Sequence, residues 1–171
     1  MCSFIRLALL ISATCTVHSP FATSQVPTNS PVPQDLWGKW KVVKEFNTRT
    51  ISCWGNDQAK KILGTTIEYG PNEITWRTLH AKVDRAAVKA ISAEEFSKDN
   101  SSTSVSGSQI DFNQLKITAQ IVKQVTIHHA DAEITGATAE FPGDEVLLKT
   151  RDNLVFSLCN LYFEARRLPT N

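Results

Sequence analysis

Between Leu36 and Leu168 the sequence falls into short runs of alternating apolar and polar residues, separated by Gly, Pro, Asn and Asp. That period of two places successive side chains on opposite faces of a strand, so it constrains the chain more than any other feature. Trp37 to Phe46 reads as a strand, with Trp40 and Val42 on one face and Lys41, Val43 and Glu45 on the other. Thr65–Tyr69 and Glu73–Arg77 flank Gly70-Pro71-Asn72, which suits a tight turn, and predict a hairpin. In it Ile67 and Tyr69 face Ile74 and Trp76. Lys82–Ile91 contains alanines that a helix tolerates, but its alternation favours a strand. Ala119–His129 is the longest alternating run, with Ile121, Lys123, Val125, Ile127 and His129 on one face. Glu145–Thr150 and Leu154–Arg166 form a last hairpin across Arg151-Asp152-Asn153. Helices are short. Asn56–Leu63 can be capped by Asn56 or Asp57 and ended by Gly64, and Ser92-Ala93-Glu94-Glu95 is a capping box that starts a helix running to Lys98. Phe112–Leu115 suggests one more helical turn. The expectation is a mainly β domain of about seven or eight strands with short helical insertions, a small antiparallel barrel or sandwich.

The chain before this domain has another character. Residues 1–24 carry one early Arg6, an apolar run from Phe4 to Val17 and the small-x-small triplet Ala22-Thr23-Ser24, the pattern of a secretory signal cut before Gln25. Removing 24 of 171 residues leaves 147, a one-domain length, with 17 basic and 17 acidic side chains. Balanced charge argues against a nucleic-acid partner or an anionic-membrane binder, and no later apolar run is long enough for a membrane span. Residues 25–35 carry Pro27, Pro31 and Pro33 and predict a stiff, extended leader. The expected location is therefore secreted or periplasmic. A lipid anchor on Cys15 is the alternative, although Ser12-Ala13-Thr14 fits a lipoprotein signal poorly. Cys53 and Cys159 remain after cleavage. In an exported chain such a pair predicts a disulfide, which would close a loop of roughly 105 residues. Two separate thiols are the alternative.

Gly38-Lys39-Trp40 near the start of the first strand resembles the G-x-W signature of lipocalins and related calycins. The resemblance implies a lipocalin-like antiparallel β-barrel over 36–168. It also implies that a late arginine, Arg166 or Arg167, packs across Trp40 in a structural role. It carries over no binding residue, because pockets of such barrels differ freely.

Chemistry-bearing clusters are few. His128-His129-Ala130-Asp131 offers imidazoles and a carboxylate, but a continuing strand points His128 and His129 to opposite faces. His129 and Asp131 then make a two-ligand pair, and nothing places His80 beside them. No metal and no cofactor are expected. No nucleophile elbow occurs, Glu95 is explained by capping, and an oxidised Cys53 attacks nothing, so the reading leans away from an enzyme. Trp54, Tyr69 and Trp76 are candidate ligand contacts if the rings line a barrel mouth, and core filling if they do not. Asn100-Ser101-Ser102 is a glycosylation sequon. The function expected is an exported non-enzymatic binding protein holding a small apolar or amphipathic ligand in its barrel. The alternative is a protein-interaction or inhibitor module acting through loops.

Overall fold

A computed structural model of the chain describes residues 30–48, 52, 56–100, 110–129 and 141–169. Eight strands occur among them: β1 (Gly38–Phe46), β2 (Thr66–Tyr69), β3 (Glu73–Trp76), β4 (Leu79–Ser92), β5 (Ile121–His129), β6 (Glu145–Thr150), β7 (Asn153–Leu158) and β8 (Leu161–Arg167). Each pairs antiparallel with the next, and β8 pairs with β1, so the sheet is a closed barrel. Two helices, α1 (Asn56–Lys60) and α2 (Ala93–Asp99), sit between strands. The fold is the expected mainly β antiparallel barrel with short helical insertions. Among the described residues no helix is long and apolar enough to cross a membrane.

The run from Leu154 to Arg166 divides into two strands. Cys159 and Asn160 both take positive φ, 55° and 62°, and turn the chain between β7 and β8. Two left-handed residues in a row make the hairpin turn whose twist matches its strands. The predicted helix over 56–63 keeps regular geometry only to Lys60. It continues as turns to Gly64, whose φ of +80° ends it as expected. The fold also begins before Leu36: Val32 is buried in the core, and its amide donates to the Pro71 carbonyl at 3.3 Å.

Two apolar cores lie on opposite sides of the sheet. Inside the barrel Trp40, Tyr69, Phe156 and Phe163 are each at most 1% exposed, and the last two stack with centroids 5.4 Å apart. Outside it, Phe46, Ile91, Val122, Leu147, Val155 and Tyr162 are covered by Phe96 of α2 and by Ile110, Phe112, Leu115 and Ile117. Residues 111–116 form a single turn in which the Asp111 carboxylate accepts from the Gln114 amide at 2.8 Å. The Gln114 side chain accepts from the Asp111 amide in return, at 3.2 Å.

Two bulges decide which residue joins which core. In β1 the register shifts between Val42 and Lys44, so Trp40 and Val42 face inward while Phe46 faces out. The uniform alternation expected there fails at Val43: Glu45 stands opposite Phe163, on the inner side. In β4 the shift lies between Val83 and Arg85, placing Val83 in the inner core and Ile91 in the outer one. One inserted residue reverses the parity of everything after it.

The strands are also unequal. β4 pairs with β3 only through Leu79–Lys82, whereas its pairing with β5 runs from Val83 to Ser92. The inner face of β4, β5 and β6 therefore continues past the point where β3 ends.

Candidate functional site

Of that face, β5 and β6 contribute Lys123, Leu148 and Thr150 to a cleft of about 890 Å³ at one end of the barrel, lined also by Gln34, Asp35, Arg151, Asp152 and Arg167. Leu148 supplies its apolar base, packed against the inner core. Lys123 belongs to the inward face of β5 but lies where the barrel is open. Its ammonium makes an ion pair with Asp35, from the segment leading into β1. A smaller groove of about 280 Å³ adjoins at Lys123 and is lined also by Val88, Ala90 and Ile121. Val88 and Ile121 are 50% and 61% exposed, unusual for large apolar side chains.

Arg167 closes one wall of the cleft. Its guanidinium lies 4.0 Å from the Trp40 ring centroid. It donates to the backbone carbonyls of Trp37, Asp35 and, at 3.1 Å, Arg151. Nε also stands 3.6 Å from an Asp152 carboxylate oxygen. Desolvation draws the Arg167 pKa below its ordinary value, while Asp152 opposes that shift. Of the two late arginines, Arg167 packs on Trp40 and Arg166 does not. Arg167 is the register partner of Trp40, whereas Arg166 pairs with Lys41 on the other face and is exposed. The Arg151 guanidinium, at the cleft rim, has no hydrogen-bond or ion-pair partner among the described residues.

The other predicted site residues scatter. Tyr69 is inside the barrel, 1% exposed, and its hydroxyl donates to the Gly143 carbonyl at 3.0 Å. Burial first, then the charge of Asp144, pushes its phenol well above the ordinary value. Gly143 has φ +91°, and a Cβ there would collide with the Tyr69 hydroxyl. Trp76 is half-buried; its indole donates to Thr65 at 3.1 Å and carries the Arg77 guanidinium 4.4 Å from its centroid. Neither ring lines the cleft. Trp54, Cys53 and Asp131 lie outside the described residues, as do the predicted signal and the first part of the leader.

His129 turns inward and is almost fully enclosed, its side chain 3% exposed. Its Nε2 lies 2.9 Å from Asp144 Oδ1, and Asp144 Oδ2 accepts from the Phe141 amide at 3.0 Å. Phe141 packs edge-on against the imidazole, and Nδ1 is buried with no hydrogen-bond partner among the described residues. The partner that sequence spacing missed is Asp144, fifteen residues on and brought close by the β5–β6 pairing. Among the described residues no three metal-ligating side chains of His, Cys, Asp or Glu gather. His80 stands three residues before Val83, the register partner of His129, but on the opposite face from Ala81 and Val83, and is bonded through Nδ1 to Thr75 at 3.2 Å. Asn100, the sequon residue, caps α2: its side-chain amide donates to Phe96 O at 2.8 Å, and its oxygen accepts from Tyr162 at 3.0 Å. Cys159 is 5% exposed, and its carbonyl accepts from the hydroxyl of Ser52 at 2.9 Å. Comparison of the chain with protein-family models, curated proteins and solved structures finds no match.

Proposed function

We propose that this chain is an exported, non-enzymatic binding protein whose site is the cleft at the Arg167 end of the barrel, and whose ligand is an amphipathic anion. The observation that carries the reading is the contrast between a filled interior and an open inner face. Trp40, Tyr69, Phe156 and Phe163 occupy the space where a barrel ligand would sit. Leu148, Val88, Ala90 and Ile121 present apolar surface just beyond it. An apolar chain laid on that ledge would bring its charged end to Arg151, the rim cation without a partner among the described residues. Lys123 and Arg167 are already matched by Asp35 and Asp152. A pocket with an apolar base and one placed charge is the usual form of a site for such a ligand. The reading of export, to a secreted or periplasmic location, rests on residues 1–24. The Cys53–Cys159 disulfide belongs to the same proposal and is supported by the Ser52–Cys159 hydrogen bond, which brings the chain beside Cys53 to Cys159. The likeness to lipocalins remains one of shape.

Isothermal titration with decanoate tests the site, with decanol as the uncharged control. Decanoate is expected to bind more tightly than decanol. Arg151→Glu should weaken decanoate at least about tenfold, because a hydrogen bond to a charged group contributes roughly 1.5–3 kcal/mol. Decanoate binding unchanged in Arg151→Glu would overturn the cleft as the site. No binding of either probe would favour a module that works through protein contacts.

A further inference from the structure

Among the described residues the second half of β4 leaves one backbone edge open. From Arg85 to Ser92 its register partners are all on β5, and among the described residues no backbone group bonds to its other side. Free edges are normally blunted by a proline, a lysine or a bulge within the exposed stretch. Here there is no proline, and the bulge at Asp84 precedes the stretch rather than interrupting it. The single lysine, Lys89, is drawn onto the outer face by Glu95 at 3.3 Å and Asp99 at 3.5 Å. The inner-side residues are small and apolar: Ala86, Val88 and Ala90.

We propose that this edge is the dimer interface of the protein, pairing antiparallel with the same strand of a second copy about a twofold axis at Val88. The register follows from charge and geometry. An axis at Ala87 would set Arg85 against Lys89, and an axis at Lys89 would set it against itself; like charges directly opposed are destabilising. An axis at Ala86 runs the ladder into the bulge at Asp84, and one at Ala90 runs it into α2. At Val88 the pairs are Arg85 with Ile91, Ala86 with Ala90, Ala87 with Lys89, and Val88 with its own copy. No like charges oppose, and seven residues pair without a break. The interface is self-complementary, as a twofold requires. It also sets Arg85, which has no ion pair among the described residues of one copy, on the same face as the acidic first turn of the partner's α2. Glu94 in that turn is likewise unpaired among the described residues, while Glu95 is held by Lys89. Val88 and its equivalent lie side by side on the inner face, so the apolar ledge continues across the axis and stays open to a ligand. None of this depends on the ligand reading, and the experiment needs no ligand.

Sedimentation equilibrium of the purified protein from 1 to 200 µM tests the proposal. The mass of the wild type is expected to double across that range. Val88→Lys, which sets two cations at the axis, should stay monomeric throughout, while Leu79→Lys on the distant half of the same strand should dimerise like wild type. Val88→Cys should be joined into a covalent dimer by a short bis-thiol-reactive linker, since directly opposed Cβ atoms lie about 4.5–5.5 Å apart, wider than the roughly 3.5–4.5 Å of a direct disulfide. That variant settles the matter if Val88→Lys fails to fold. A wild type that stays monomeric at 200 µM overturns the proposal. So does a dimer that Val88→Lys leaves intact, or a Val88→Cys variant that does not cross-link.

Discussion

Tyr162 joins the two sides of the outer core. Its ring packs edge-on to Phe96, with centroids 6.4 Å apart, and its hydroxyl donates to Asn100 at the end of α2. Burial, and then the charge of Glu145, pushes its phenol up to about 12. An unfolded tyrosine titrates near 10, so the folded protein holds this proton more tightly. The stabilisation is complete below about pH 10 and is lost as the pH rises through 12. Two units correspond to roughly 2–3 kcal/mol as an upper bound. Tyr69 shifts in the same direction, with burial first and Asp144 second among its causes. Urea unfolding at pH 7, 9.5 and 11 should therefore show wild-type stability falling steeply above pH 10. Tyr162→Phe, which has no proton to lose, should lose less over the same range. At pH 7 it should cost about 1 kcal/mol for the hydrogen bond. An identical alkaline slope in both proteins would refute this account of Tyr162. The phenol's environment was not legible in the sequence, because it depends on a helix sixty residues away meeting β8.

At the scale of elements, α2 shows most directly how local sequence becomes structure. Ser92 ends β4 in an extended conformation, and its hydroxyl accepts from the Glu95 amide at 3.1 Å. That satisfies one of the open amides of the first turn. The Glu95 carboxylate, expected to close the box, reaches Lys89 instead. Ser92→Ala should therefore cost about 1 kcal/mol, read as a lower urea midpoint with unchanged slope. A midpoint equal to wild type would mean that packing of Phe96 alone holds the helix. The capping serine, the Gly70-Pro71-Asn72 turn and the alternation of β5 were legible because each is written in neighbouring residues. The bulges in β1 and β4 were not. Val42-Val43-Lys44 and Val83-Asp84-Arg85 carry no glycine and look like ordinary strand, and the extra residue is fixed only by what faces it. The cleft was hidden for the same reason. Its lining comes from the segment before β1, from β5 and β6, from the β6–β7 turn and from β8, and only the strand pairing brings these together.

Across the whole molecule, the barrel closes by pairing its first strand with its last. Phe46 near the end of β1 stands opposite Tyr162 near the start of β8. The chain just after β1 therefore meets the β7–β8 turn that holds Cys159, and the Ser52 contact follows from that closure. A Cys53–Cys159 bond would join segments that the sheet already holds together. Its main effect would fall on the unfolded chain, where it removes the freedom of a loop of roughly 105 residues, worth about 4–5 kcal/mol in the chain-entropy picture and often less in practice. The folded protein should differ little, because its inner and outer cores do not depend on the bond. Reduction is thus expected to lower the unfolding midpoint substantially while the β-sheet circular dichroism at 20 °C stays the same. Cys159→Ser should reproduce the lower midpoint and become insensitive to reductant. If reduction instead abolished the barrel signal at 20 °C, closure would depend on the covalent link, and the two cores would be too weak to close eight strands without it. An unchanged midpoint would mean that the two sulfurs are not joined. The late cysteine would then be a small buried residue at a turn where its backbone, rather than its sulfur, makes the contact.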